Sequence, residues 1–388
     1  MPSKYLADRV VDLTPSATVS LPDRARALRK KGKDVLDLSE GQPHFDTPAP
    51  IKNSAKKALD DGMVFYIESS GLPELLEEIK AKLERDNGLS VPTSQIMVTV
   101  GAKQGIFTAI LCTIDPGDEV MIPDPYWGSH ASCVRLAGGK PISVPLQDDN
   151  GFRLDPEKIE ETVTSKTKMI ILSSPHNPTG MVIEKDDLKA VADIAKKRDI
   201  LVLSDEIYEK IVYDGARHYS IGSLPGMEDL TITVNGFSKP YSMTGWRLGY
   251  VIAAKEIMSR MLIVQQHSVT HPAAFVEKAG IIALRECDKY VEDMVNDYRK
   301  ARDYFVAELN KLSLFSCTKP KGAFYAFPKI EDESKKSADL VEFLLEKAQV
   351  LAVPGSSFGK YGEGHMRFVY AQTMDTLKKT IERIKQVA

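Results

Sequence analysis

Residues 230–252 read LTITVNGFSKPYSMTGWRLGYVI. Two apolar, β-favouring runs, 230–234 and 248–252, bracket a segment rich in Gly, Ser, Pro and Thr, so the stretch predicts two buried strands joined by a loop. That loop holds one lysine, Lys239, and Arg247 stands just before the second strand. A lone loop lysine is ordinarily a solvated charge. Its neighbours argue otherwise here. Ser238 and Arg247 supply a hydroxyl donor and a planar cationic fork, the groups that hold a phosphate. A lysine amine deprotonated by its surroundings forms a Schiff base with an aldehyde. The combination points to an aldehyde cofactor bearing a phosphate, pyridoxal 5′-phosphate, bound as a covalent Schiff base on Lys239.

Outward from this loop the chain alternates. Strands are predicted at 96–100, 119–122, 141–145, 169–172 and 200–203, besides the two already named. Helices are predicted at 50–61, 73–86, 101–112 and 185–198. Such alternation predicts an α/β domain with a mostly parallel sheet and helices on both faces. Ligands of these sheets sit outside the carboxyl ends of the strands. The loops GAKQG, PDPYWGS, SSPHNPTG, SDEIY and NGFSK all fall on that edge. Residues 286–312 have the periodicity of one long helix. Beyond them a strand-like pair (315–319 and 324–328), a helix at 337–348, strands at 350–353 and 365–370 and a last helix from Met374 describe a smaller α+β domain. The segment 14–21 reads as an extended arm before a helix at 22–30. The expected division is an N-terminal arm with part of the small domain (1–46), a large domain (47–290) and a small C-terminal domain (291–388).

The 388 residues carry a formal net charge of −3, with 27% charged and 43% hydrophobic residues. That near-balance argues against a nucleic-acid partner, which calls for a basic surplus. Four scattered cysteines without ligand spacing read as reduced thiols. With no apolar leader and no run long enough to span a bilayer, the expectation is a cytoplasmic protein with no membrane association.

Each part of the cofactor finds a candidate. A protonated ring nitrogen needs a carboxylate, and Asp205 ends an apolar strand, though Asp at such a turn also caps helices. Tyr208, three residues on, can reach the ring's 3-oxygen. Asn177 offers an amide to the same oxygen, unless it merely makes an Asn-Pro turn. Gly101, Ala102 and Lys103 open a helix after a strand, and their N–H groups make an anion site. Trp127 can stack on the ring or simply fill space. Arg367 is a natural fork for a substrate carboxylate, or else a strand-surface arginine.

The stretch resembles the cofactor-lysine segment of the fold type I, class I and II aminotransferases, whose S-K-x-x-x-x-T-G-W-R-x-G is matched from Ser238 to Gly249. S-P-x-N-P-T-G at 174–180 and D-E-x-Y at 205–208 match the same family. The resemblance implies a seven-stranded, mostly parallel sheet with a smaller α+β domain, and an amino acid and a 2-oxo acid as substrates. It also implies a homodimer with shared active sites, in which Tyr66 reaches the partner's phosphate; otherwise Tyr66 is a core aromatic. It gives the Lys239, Asp205 and Tyr208 side chains the chemistry, and Gly41, Trp127, Asn177 and Arg367 contacts with substrate. His44 stands where relatives usually have Asp.

Pro15-Ser16-Ala17-Thr18 and Gly101-Ala102-Lys103-Gln104 resemble motifs of bacterial and archaeal aspartate aminotransferases, with Ala102 in place of a glycine. In those relatives the lysine and hydroxyls receive an acidic side chain, which assigns that role to Lys103, Ser16 and Thr18. The ordinary alternative is a surface lysine, disfavoured by the positive end of a helix dipole. The expected pair is aspartate with 2-oxoglutarate. An aromatic or prephenate aminotransferase, or a lyase on the same scaffold, would share the cofactor residues. Regulators with an aminotransferase-like domain need a DNA-binding domain for which some forty residues ahead of the first motif leave no room.

Overall fold

A computed structural model describes residues 4–11 and 13–387. The first strand, β1 (Leu36–Asp37), belongs to the smaller unit. The next seven are β2 (Ile96–Thr99), β3 (Glu119–Asp124), β4 (Lys140–Pro145), β5 (Thr167–Ser173), β6 (Leu201–Asp205), β7 (Thr231–Gly236) and β8 (Gly249–Ile252). They form one sheet in the order β2-β8-β7-β6-β5-β3-β4, with β8 alone antiparallel to its neighbours. Strands β2, β7 and β8 are buried at every position. Both sheet faces are covered, which is why these strands read as unbroken apolar runs. Because β8 runs backwards, its amino end lies on the edge where the other six strands end. Arg247, just ahead of β8, therefore shares an edge with the residues that follow β2, β3, β5, β6 and β7.

Helix Gly101–Thr113 packs closely on this sheet. A Cβ on Gly105 would fall 2.4 Å from a Val251 methyl, and one on Gly249 would fall 2.6 Å from the backbone nitrogen of Ala102. Two glycines thus bring the amino end of the helix down onto β8. Gly249→Ala meets backbone rather than a movable side chain, so overpacking is expected to cost about 1–3 kcal/mol of unfolding free energy. Chemical denaturation measures it.

The remaining strands are β9 (Phe315–Ser316), β10 (Tyr325–Ala326), β11 (Lys329–Ile330), β12 (Val350–Leu351), β13 (Val353–Pro354) and β14 (Met366–Val369). β1 pairs in parallel with β12, which ties the amino-terminal part of the chain to its carboxyl-terminal part. β10, β14 and β13 form a three-stranded antiparallel sheet. The expected pairing of 315–319 with 324–328 does not occur: β9 pairs with β11 and β10 with β14. Two-residue strands carry no periodicity from which a partner can be read. The long helix runs Asp288–Leu309, and Glu286 closes the preceding helix, Ala274–Glu286. Tyr298 and Phe305 of the long helix bury against Phe324, Phe368 and Ile381.

The arm also departs from expectation. Residues from Ala17 are helical, in helix Ala17–Lys30, with Pro22 inside it. An interior proline forfeits one helix hydrogen bond. The loss is offset by packing Ala17 and Leu21 against the apolar cluster around Phe327 and Phe358. Among the described residues, no helix is long and apolar enough to cross a membrane, and the four cysteines are unpaired.

Candidate active site

At the carboxyl edge of the sheet lies a cavity of about 480 Å³. Lys239, three residues beyond the end of β7, reaches into it and donates from Nζ to the Gly41 carbonyl at 2.6 Å. Burial, then the Arg367 and Arg247 charges, lower the Lys239 pKa to about 7, against the pull of Asp205. A large share of its amine is therefore neutral, and so nucleophilic, near pH 7.

Asp205 closes β6 with its carboxylate on the cavity. No helix follows it, only turns, so the helix-cap reading does not hold. Its Oδ2 lies 3.1 Å from Nε2 of the buried His130, and its Oδ1 accepts the Ile207 N–H at 3.4 Å. Tyr208 hydrogen-bonds through its hydroxyl to that of Tyr325, and burial raises its pKa.

Arg367, in β14, is 1% exposed. Its Nη1 donates to Asn177 Oδ1 at 3.0 Å and its Nη2 to the Ser39 carbonyl at 2.7 Å. The guanidinium lies 4.5 Å from the Tyr325 ring centre and 4.9 Å from that of Phe358, and its buried Nε has no partner. Two aromatic faces and two acceptors thus hold the group at one orientation.

On another wall, Ala102 and Lys103 begin helix Gly101–Thr113, with Ser238 and Arg247 opposite. Gly101 has φ +73°, and a Cβ there would stand 2.5 Å from Arg247 Nη2. Only glycine lets the guanidinium approach the helix start. Arg247 donates to the Thr244 carbonyl at 2.9 Å and the Val100 carbonyl at 3.4 Å. Lys103 Nζ lies 4.8 Å from the centre of the Trp127 ring, and burial lowers its pKa. Trp127 lines the cavity with His130 edge-on to it at 5.3 Å.

Gly41 and Thr18 also line the cavity, but Ser16 does not. Ser16 stands before helix Ala17–Lys30, its hydroxyl 3.0 Å from that of Thr18, in an adjoining cavity that shares Thr18 and Lys103. Tyr66 is absent from the cavity of its own chain. It is 88% exposed, touching His271 edge-on at 5.7 Å, so it is no core aromatic. His44 lies against Phe45, the ring centres 4.1 Å apart and the planes tilted by 37°, outside the cavity. Sequence reading missed Tyr325 and His130. His130 follows Trp127 by one helical turn, a detectable spacing; Tyr325 arrives from β10 with no local signal.

The family model described as Aminotransferase class I and II matches residues 33–384. The chain belongs to the class I and II aminotransferases. An aspartate aminotransferase of Pyrococcus abyssi is 44% identical over 98% of each chain. An aromatic-amino-acid aminotransferase 2 of Thermococcus litoralis is 41% identical over 98% of each. A solved structure of aspartate aminotransferase from Thermus thermophilus with maleate superposes with a TM-score of 0.95, at 38% identity over 100% of both chains. The fold is that of these aminotransferases, and transamination is the reaction class.

The family implies pyridoxal 5′-phosphate, and the cavity fits it. Among the described residues, no carboxylate lies within ion-pair distance of Lys103, Lys239, Arg247 or Arg367. Four cationic side chains therefore face a space that holds only Asp205 and Glu40 as acids. Such a surplus calls for bound anions. Arg247, Ser238 and the helix N–H groups are a phosphate donor set, and Arg367 with its orphaned Nε suits a carboxylate.

Proposed function

We propose that this aminotransferase holds pyridoxal 5′-phosphate covalently through Lys239 and exchanges amino groups between aspartate and 2-oxoglutarate in a ping-pong cycle. The observation that carries the reading is the convergence of four unpaired cations and one buried carboxylate on a single cavity. When bound, the cofactor supplies the carbonyl that accepts the amino group and the electron sink that acidifies Cα–H. Asp205, oriented by His130, keeps a proton on the ring nitrogen. Tyr208 and the donor side of the Asn177 amide serve the 3-oxygen, and Trp127 covers a ring face. Ser238, Arg247 and the N–H groups of Gly101, Ala102 and Lys103 bind the phosphate. Lys239, a large share of it neutral near pH 7, would serve as the base that takes the proton from the substrate Cα and as the acid that returns it. Arg367 holds the α-carboxylate beside the Gly41 backbone.

Lys103, joined by Thr18, receives the distal carboxylate of an acidic substrate. Ser16 supports Thr18 through their shared hydroxyl contact. The names of the Pyrococcus abyssi and Thermus thermophilus relatives favour aspartate. The aromatic-amino-acid enzyme of Thermococcus litoralis favours an aromatic substrate as the second reading. Offering the holoenzyme single amino acids and following its visible absorbance separates them. Rapid change with aspartate and glutamate is expected; change with tyrosine or phenylalanine alone would reject the acidic pocket. Lys103→Ala is expected to slow the aspartate reaction by about 100-fold, the scale of a lost buried charge partner, with little loss for an aromatic substrate.

A homodimer completes the proposal. Val64, Phe65 and Tyr66 are 64%, 80% and 88% exposed in succession, an apolar run suited to burial against a second copy. Tyr66 of the partner subunit would join the phosphate donors. No nucleic acid or membrane takes part, and a cytoplasmic setting suits four unpaired thiols.

A further inference from the structure

In the segment 205–209, side chains divide between two sides. Asp205, Ile207 and Tyr208 line the cavity, whereas Glu206 and Glu209 turn away from it and are buried. Behind the turn, Glu206 meets three hydrogen-bond donors and, at ion-pair distance without hydrogen-bond geometry, the His218 ring. Oε1 accepts from Ser204 at 2.9 Å and Ser220 at 2.8 Å; Oε2 lies 3.2 Å from Asn87 Nδ2 and 3.0 Å from His218 Nε2. Glu209 accepts from Asn87 Nδ2 at 2.7 Å and pairs with Lys82, whose Nζ also donates to Asn87 Oδ1 at 2.7 Å. The Lys82 side chain is 2% exposed, that of Glu209 7%, Glu206 0% and His218 7%.

The ligand atoms of Glu206, Glu209 and His218 lie within 4.8 Å of one another, as a metal would need. The ammonium and the amide lodged among them already take the oxygens. The cluster is an ionic network. Beside the cluster Lys210 pairs with Asp86 at 2.8 Å, so within it two carboxylates face one ammonium and one negative charge is left unbalanced, at high cost in a buried place. A protonated His218 removes it.

We propose that Lys82, Glu206, Glu209 and an imidazolium at His218 form a charge-neutral buried quartet that positions Asp205 and Tyr208 in the active-site cavity. The geometry fixes the turn from behind: every carboxylate oxygen is engaged, and the donors come from β6, the loop beyond it and the chain at 82–87. Burial opposes charge on His218, but Glu206 and then Glu209 outweigh it and raise its pKa, with Lys82 opposing. Raised pKa means that His218 contributes stability fully present below its unfolded value and lost as pH rises through its folded value. These four residues are positioning residues, and the proposal rests on the cofactor reading above for its effect on the site.

The experiment compares the full-length wild type with H218Q, E206Q and E206Q/H218Q. The His218 ring resonances, assigned by their loss in H218Q, should titrate above the ordinary histidine range. In H218Q the pyridoxal 5′-phosphate dissociation constant should rise about tenfold, the loss typical when a group supporting a ligand-holding residue is removed. The pH at which the holoenzyme absorbance turns over should shift as well. E206Q/H218Q, which removes one charge of each sign, should lie nearer wild type than H218Q in both measures. A stability loss in H218Q with cofactor affinity and absorbance midpoint unchanged would overturn the positioning role. A neutral His218 near pH 7, or a double variant no better than H218Q, would overturn the charge balance. A wild type that binds no pyridoxal 5′-phosphate would overturn the cofactor reading instead, while the titration still decides the quartet.

Discussion

Lys239→Ala is expected to abolish covalent cofactor attachment and lower turnover by at least about 10³-fold, within the range that a positioned acid–base group contributes. The reason is local. The Lys239 amine makes one hydrogen bond, to the Gly41 carbonyl, and has no carboxylate partner among the described residues. Burial and the two arginines hold its pKa at about 7, well below that of an ordinary lysine. Capture of pyridoxal 5′-phosphate by cofactor-free enzyme should therefore accelerate as pH rises through about 7 and level off above, because the neutral amine is the reactive form. Alanine removes the nucleophile but leaves Arg247, Ser238 and the helix N–H groups, so noncovalent cofactor binding should persist. Absorbance, borohydride trapping and steady-state rates check these outcomes; a variant that still traps cofactor covalently and turns over at the wild-type rate would reject Lys239.

How much of this was legible in the sequence depends on how local each signal is. The seven strands of the large sheet stood out because burial on both faces leaves apolar runs between turn residues. Their order did not, since pairing of β8 between β2 and β7 is a long-range choice. The sheet edge was legible through its loops, and Lys239, Asp205, Asn177, Trp127 and Arg367 lie around one cavity. Tyr325 was not, because nothing in its own neighbourhood announces that its hydroxyl will meet Tyr208. The segment 17–21 misled for the opposite reason: the preference of its hydroxyl residues for extended chain is real, but the packing of Ala17 and Leu21 overrides it. Glu206 sat inside a quoted motif without a role, since its partners Lys82, Asn87 and His218 are distant in sequence.

Arg367→Lys is expected to raise the KM for the amino-acid substrate about 100-fold or more while leaving cofactor absorbance intact. A lysine keeps the charge, so a site that needed only a positive potential would tolerate it. The geometry demands more. The guanidinium is clamped between the Tyr325 and Phe358 rings, with Nη1 on Asn177 and Nη2 on the Ser39 carbonyl. An ammonium is a compact point charge that neither stacks between rings nor presents two parallel donors to a carboxylate. It would satisfy one of Asn177 and Ser39 and leave the other short, so the carboxylate loses both its fork and its fixed orientation. Removing a hydrogen-bonded partner from a buried charge costs about 2–5 kcal/mol, which corresponds to roughly 30- to several-thousand-fold in binding. Asp205, Ser238, Lys239 and Arg247 stand on other elements and none hydrogen-bonds Arg367, so the cofactor should stay attached, with Asn177 the one cofactor-facing residue that can lose a partner. Substrate titrations of the holoenzyme separate the two effects. Unchanged affinity for aspartate would show that the α-carboxylate binds elsewhere. A bleached cofactor spectrum would assign Arg367 to cofactor binding instead.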